Sequence, residues 1–122
     1  MEFEKIDCTG WSEDRICQEF YFWFHNTFPQ YRGLLFHVPN GGTRNKREGA
    51  KFKMMGVYPG VADYIFFWNG IAYCIEAKER IKGLQSPKQK EWEATVKANG
   101  ILYYIEWTLD DLKERVLTIM EF

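Results

Sequence analysis

Two runs of β-branched and aromatic residues, 64–68 and 71–75, flank Asn69-Gly70. Asn-Gly between such runs is the strongest short-range sign of a β-hairpin, because both central residues of a type I′ turn need positive φ. A two-residue turn pairs Trp68 with Ile71, and stepping outward brings Asp63 opposite Glu76. Side chains alternate between the faces of a strand, so Asp63, Ile65 and Phe67 share a face with Ala72, Cys74, Glu76 and Lys78. The other face of the second strand, Ile71, Tyr73, Ile75 and Ala77, is apolar. This strand is predicted to be buried on both sides, with its charges confined to one end.

Elsewhere the pattern changes period. Ile16, Cys17, Phe20, Trp23 and Phe24 recur at helical spacing, which predicts a helix from an N-cap at Ser12 to Asn26 or Thr27, ahead of Pro29. Carried back by three residues, that stripe lands on Glu13, which together with Asp14 also complements the helix dipole. Residues 1–10 read as an irregular arm. Residues 34–38 form a short strand closed by Pro39-Asn40-Gly41-Gly42. A helix over 47–55, ended by Gly56, is predicted to turn Ala50, Met54 and Met55 inward, and Tyr58-Pro59-Gly60 makes a turn that delivers the chain to Asp63. Residues 79–85 form a charged loop. Ser86, Pro87 and Gln89 then make a capping box for a helix that carries Trp92 and Val96 inward and ends near Asn99-Gly100. Residues 101–105 form a buried strand, parallel to a neighbour because a helical crossover precedes it. Thr108, with Asp111 at the third helical position, opens a last helix over 109–117, expected on the rim and available for dimer contact. This order predicts an α/β fold with a mixed central sheet flanked by helices.

Composition narrows the class. A chain of 122 residues is one domain by prior, and 18% aromatics with five Trp argue for a packed core and against disorder. The net charge is −1, so any attraction to nucleic acid has to come from a local patch. One concentrated basic stretch exists, with Arg44, Lys46, Arg47, Lys51 and Lys53 set against Glu48 alone. Standing between a glycine loop and the hairpin, it suits phosphate contacts. Cys8, Cys17 and Cys74 follow no metal-ligand or disulfide spacing, which suggests reduced thiols in a cytoplasmic protein. No apolar run is long enough to span a membrane and the start of the chain lacks a signal-peptide layout, so neither membrane insertion nor secretion is expected. His25, near a helix end, and His37, beside a turn, read as structural.

The candidate chemistry lies at the open end of the hairpin. Like charges opposite one another in an antiparallel pair have Cβ atoms about 4.5–5.5 Å apart and are destabilising. Asp63 and Glu76 therefore need a compensating charge, and a divalent cation held by carboxylates, water and phosphate oxygens can provide it.

Four words of sequence in order carry a resemblance: Pro39-Asn40-Gly41-Gly42, then residues 56–63 closing on Asp63, then Ile75-Glu76-Ala77-Lys78, then Ser86-Pro87-Lys88-Gln89 with Trp92. Over roughly residues 12–106 the chain resembles the VRR-NUC domain of the PD-(D/E)xK nuclease superfamily. The resemblance implies the restriction-endonuclease-like α/β core and a Mg²⁺- or Mn²⁺-dependent endonuclease acting on DNA. Asp63, Glu76 and the Ala77 carbonyl would be the metal ligands and Lys78 the group that handles the attacking water. Gln89 would orient water or phosphate, and Glu13 would reach the metal from the first helix. Asn40, Arg44, Lys46, Arg47, Lys51 and Lys53 are the candidate DNA contacts. Stand-alone versions, common in bacteriophages, resemble Holliday junction resolvases, which points to branched DNA and a homodimer. Flap, fork or linear duplex substrates, and a non-cleaving DNA-binding module on the same fold, are the alternatives.

Overall fold

In the computed structural model, which describes residues 1–39 and 46–121, the hairpin organises the sheet. Strands β2 (Tyr64–Trp68) and β3 (Ile71–Ala77) pair antiparallel from Trp68 with Ile71 to Tyr64 with Ile75, the register set by the two-residue turn. Asn69 and Gly70 hold φ of 49° and 78°, as a type I′ turn requires. Strand β1 (Leu35–His37) lies antiparallel on the far side of β2, and β4 (Leu102–Glu106) lies parallel to β3. The sheet order is β1-β2-β3-β4. Hydrogen bonds from Phe67 N to Leu34 O and from Val38 N to Asp63 O extend the β1 ladder by one residue at each end, matching the predicted extent.

One sheet face packs on α1 (Glu13–Thr27) and α4 (Leu109–Met120). Phe20, Phe24, Phe28, Leu35, Phe66, Ile75, Leu112 and Val116 are fully buried between them. Helix α1 begins as predicted, with the Ser12 hydroxyl accepting from Arg15 N. Helix α4 differs from expectation: it is longer than 109–117, and Leu109, Leu112, Val116, Leu117 and Met120 are buried. A four-stranded sheet with strands about 4.8 Å apart is wider than one helix, so α1 alone leaves part of this face open and α4 is drawn onto it rather than to the rim. The irregular arm is held down as well. Cys8 is buried, and Ile6 N donates to Asp110 of α4.

The opposite face is covered by α3 (Pro87–Ala98), which packs Trp92 and Val96 over Ala62, Cys74 and Tyr103. Its capping box is complete, Ser86 and Gln89 each satisfying the other's backbone amide. Helix α2 (Lys46–Met54) corrects a second expectation. Met54 and Met55 are 88% and 70% exposed and Ala50 is exposed, while Gly49 and Phe52 are the half-buried positions. A helix rich in lysine that packs on no large apolar face has little to gain by turning its methionines inward. Gly56 ends it with φ of 93°, and Val57 N donates back to Phe52 O. No helix among the described residues is long and apolar enough to cross a membrane.

Candidate functional site

At the open end of the hairpin Asp63 leaves the strand, and its Oδ2 accepts a 2.8 Å hydrogen bond from Ala77 N of β3. That bond ties the turn before β2 to the end of β3 and holds the carboxylate beside Glu76. Glu76 is 0% exposed and Lys78 4% exposed, both at the end of the strand buried on two sides. Lys78 Nζ lies 3.9 Å from Glu76 Oε2 and 3.9 Å from Glu13 Oε2, and donates to Gln89 Oε1 at 2.9 Å. Gln89 Oε1 also accepts from Ser86 N, so one oxygen closes the helix cap and holds the lysine. Tyr64 OH donates to Cys17 O, which fixes α1 against the hairpin with Glu13 directed at the site.

The structure thus brings together Glu13, Asp63, Glu76, Lys78 and Gln89, drawn from α1, the turn before β2, the end of β3 with the residue after it, and α3. Three carboxylates are gathered near one ammonium, Glu76 and Lys78 buried and Glu13 and Asp63 partly exposed. Burial pushes the Glu76 carboxyl above the usual range, with a hydrogen bond from Tyr103 pulling it back. Burial raises Asp63 too, against the Ala77 amide and the Lys78 charge. Glu13 is raised by burial and then by the charge of Asp63. Burial, and next the charge of Asp63, push the neighbouring Cys17 thiol up to about 12, which removes it as a nucleophile.

Glu76 Oε2 is buried and accepts no hydrogen bond among the described residues. A buried anionic oxygen that accepts no hydrogen bond is costly, and with only the Lys78 ammonium at 3.9 Å this one has capacity left for a cation. No three His, Cys, Asp or Glu side chains among the described residues close round a single point. The donors Asp63 and Glu76 offer hard carboxylate oxygens, which suit a hard divalent cation better than zinc with its nitrogen and sulfur ligands. Glu13 lies against the Lys78 ammonium.

Two clefts open beside these groups. One, of about 320 Å³, is lined by Glu13, Asp14, His37 and Asp63 and is acidic. The other, of about 600 Å³, runs between α2 and the start of α3, with Phe52, Lys53, Tyr58, Lys88 and Gln89 on its walls. Of the predicted DNA contacts, Lys53 lines this second cleft, while Lys46, Arg47 and Lys51 are exposed on α2. Asn40 and Arg44 fall outside the described residues. His37 Nδ1 lies 2.8 Å from Asp63 O, a structural contact.

The sequence reading missed Lys88, Gln85, Glu93 and Tyr103. Gln85 Nε2 donates to Glu93 at 2.9 Å and more weakly to Glu76 at 3.4 Å, and Tyr103 OH donates to Glu76. Only Lys88 carried a signal, as the cation inside the capping box. Tyr103 reaches Glu76 from β4 and Gln85 from a loop, and Glu93 of α3 holds Gln85, in registers that no local pattern announces.

No family model and no curated protein matches this sequence. A solved structure of a VRR_NUC domain protein does match, with a TM-score of 0.67 over 93% of this chain and 88% of that one, at 23% identity. This chain, with its mixed four-stranded sheet covered by helices, therefore has the fold of that VRR_NUC domain protein.

Proposed function

We propose that the protein is a divalent-metal-dependent DNA endonuclease that hydrolyses phosphodiester bonds at the site formed by Asp63, Glu76, Lys78 and Gln89. The observation that carries this reading is the buried Glu76 Oε2, which accepts no hydrogen bond among the described residues and faces the Lys78 ammonium, with Asp63 and Glu13 adding negative charge and lining the cleft beside α1. Asp63 and Glu76, with the Ala77 carbonyl, would hold Mg²⁺ or Mn²⁺. When bound, the cation lowers the pKa of its water and offsets charge on the pentavalent phosphorus. Lys78, held in place by Gln89, hydrogen-bonds the attacking water and balances the charge that builds on the phosphoryl oxygens. Glu13 keeps the ammonium on the α1 side of Glu76.

The substrate backbone would run along the cleft between α2 and α3, where Lys53 and Lys88 stand. The acidic cleft beside α1 repels phosphates and leaves that side to cations and water. Branched DNA, cut by a C₂ homodimer, fits a small chain that must reach two strands.

Asp63→Asn, Glu76→Gln and Lys78→Ala are each expected to abolish Mn²⁺-dependent cleavage of a panel of four-way junctions, flaps, forks and linear duplexes, with circular dichroism unchanged. Retained cleavage in all three variants would refute the assignment. Binding of DNA and of Mn²⁺ with no cleavage of any substrate by the wild type would identify a non-cleaving module. Symmetrical nicks across a junction are the outcome that supports the branched substrate and the dimer together.

A further inference from the structure

The two oxygens of Glu76 are treated differently by the fold. Oε1 accepts from Tyr103 OH and from Gln85 Nε2, while Oε2 accepts from nothing among the described residues and lies 3.9 Å from Lys78 Nζ. The direction of these bonds is set by chemistry. An ionised carboxylate has no hydrogen to give, so the phenol must donate. Gln85 faces Glu76 on one side and Glu93 on the other, both acceptors, so the amide presents its nitrogen to them and can give one hydrogen to each. Lys97 in turn holds Glu93 at 3.1 Å, one turn further along α3. The phenol has no competing partner in water, since Tyr103 is buried with its ring against Trp92, centroids 6.0 Å apart. It comes from β4, where Tyr103 pairs with Cys74, and reaches diagonally to the carboxylate two residues along β3.

We propose that Tyr103, assisted by Gln85, is a positioning residue that locks the Glu76 carboxylate in one rotation and so commits Oε2 to the divalent cation. This rests on the metal-dependent reading of the site above. Without the phenol the carboxylate can turn, and the cation must then order a group that the fold had already ordered. Partners of this kind, one shell out from a metal, typically change affinity by about 10–100-fold when removed.

Tyr103→Phe keeps the ring and its packing on Trp92 and deletes the hydroxyl alone. Calorimetric titration of the whole protein with Mn²⁺, without DNA, is expected to show affinity about 10-fold or more below wild type. In cleavage assays the Mn²⁺ concentration for half-maximal rate rises by a similar factor, while the rate at saturating Mn²⁺ returns to near the wild-type value. A merely structural role for the hydroxyl would lower that saturating rate or the melting temperature and leave the Mn²⁺ requirement in place. Gln85→Leu, a loop change that spares the β4 core, is expected to shift the Mn²⁺ requirement in the same direction and by less. Wild-type Mn²⁺ affinity in folded Tyr103→Phe overturns the proposal. If that variant does not fold, wild-type affinity in Gln85→Leu overturns it. A wild-type protein that takes up no Mn²⁺ overturns the metal-dependent function as well, which separates the two failures.

Discussion

Glu76 is fully buried, with one carboxylate oxygen hydrogen-bonded and the other facing the Lys78 ammonium. Burial raises its carboxyl and those of Asp63 and Glu13, so in the metal-free protein each binds a proton more readily when folded than when unfolded. For such groups stability falls as pH rises through the folded-state pKa and is recovered as pH falls. Glu76→Gln removes the ionisation, so in the presence of EDTA it is expected to melt above wild type at neutral pH. The gap should close as the pH is lowered and the wild-type carboxyl takes up its proton. Thermal unfolding of both proteins across that range checks it, and a gap that does not change with pH would show that Glu76 is not the group that titrates. Added Mn²⁺ should reverse the order, since only the wild type can bind it through this carboxylate. On the proposed function, the residue is a place where stability is given up for activity.

Two turns that each rely on a glycine play different parts among the elements. Gly60 and Gly70 both have positive φ, 84° and 78°. Around Gly70 a Cβ would meet nothing within 4 Å, whereas at Gly60 it would lie 2.4 Å from Lys88 O and 2.6 Å from Lys88 C. Gly70→Ala therefore carries only the left-handed backbone penalty of about 1–2 kcal/mol, read as a modest fall in melting temperature. Gly60→Ala must also push the turn that aims Asp63 away from the start of α3, which carries Gln89. Its expected signature is loss of cleavage out of proportion to loss of stability, measured by comparing rate and melting temperature in the two variants. Equal effects would mean that the close approach of turn and helix does not set the site. The pattern Tyr58-Pro59-Gly60 announced a turn, and Ser86-Pro87-Lys88-Gln89 announced a helix start. That the two touch was not legible, because contact between segments so far apart in sequence is decided by packing. Misreading α2 and α4 had the same origin: the stripe of leucine, valine and methionine in α4 was visible, but which face of the sheet lacked cover was not.

At the scale of the whole molecule, charge is divided rather than abundant. A net charge of −1 gives no general attraction to DNA, yet the cleft between α2 and α3 carries Lys53 and Lys88 while the cleft beside α1 carries Glu13, Asp14 and Asp63. Lys53→Ala with Lys88→Ala is expected to weaken DNA binding and to flatten its salt dependence, by about 0.9 in the slope of log K against log salt for each phosphate no longer neutralised. The cleavage rate at saturating DNA should be nearly unchanged, because neither lysine touches the reacting groups. Fluorescence anisotropy over a range of salt concentrations measures this, and an unaltered slope would place the DNA elsewhere.

What the sequence determined by itself was local. Asn69-Gly70 dictated the hairpin and its register, and with them the meeting of Asp63 and Glu76, because a two-residue turn leaves the paired strands no other alignment. Ser12, Ser86 and Thr108 likewise dictated where three helices begin, through hydroxyls that satisfy amides a few residues away. Only the tertiary structure decided that Tyr103 and Gln85 hold one oxygen of Glu76 and leave the other to face Lys78, that Gln89 holds Lys78, and that α4 is core. Those pairings join segments whose separation in sequence is set by no repeating pattern, so they exist only once burial of the two sheet faces has chosen which elements lie side by side.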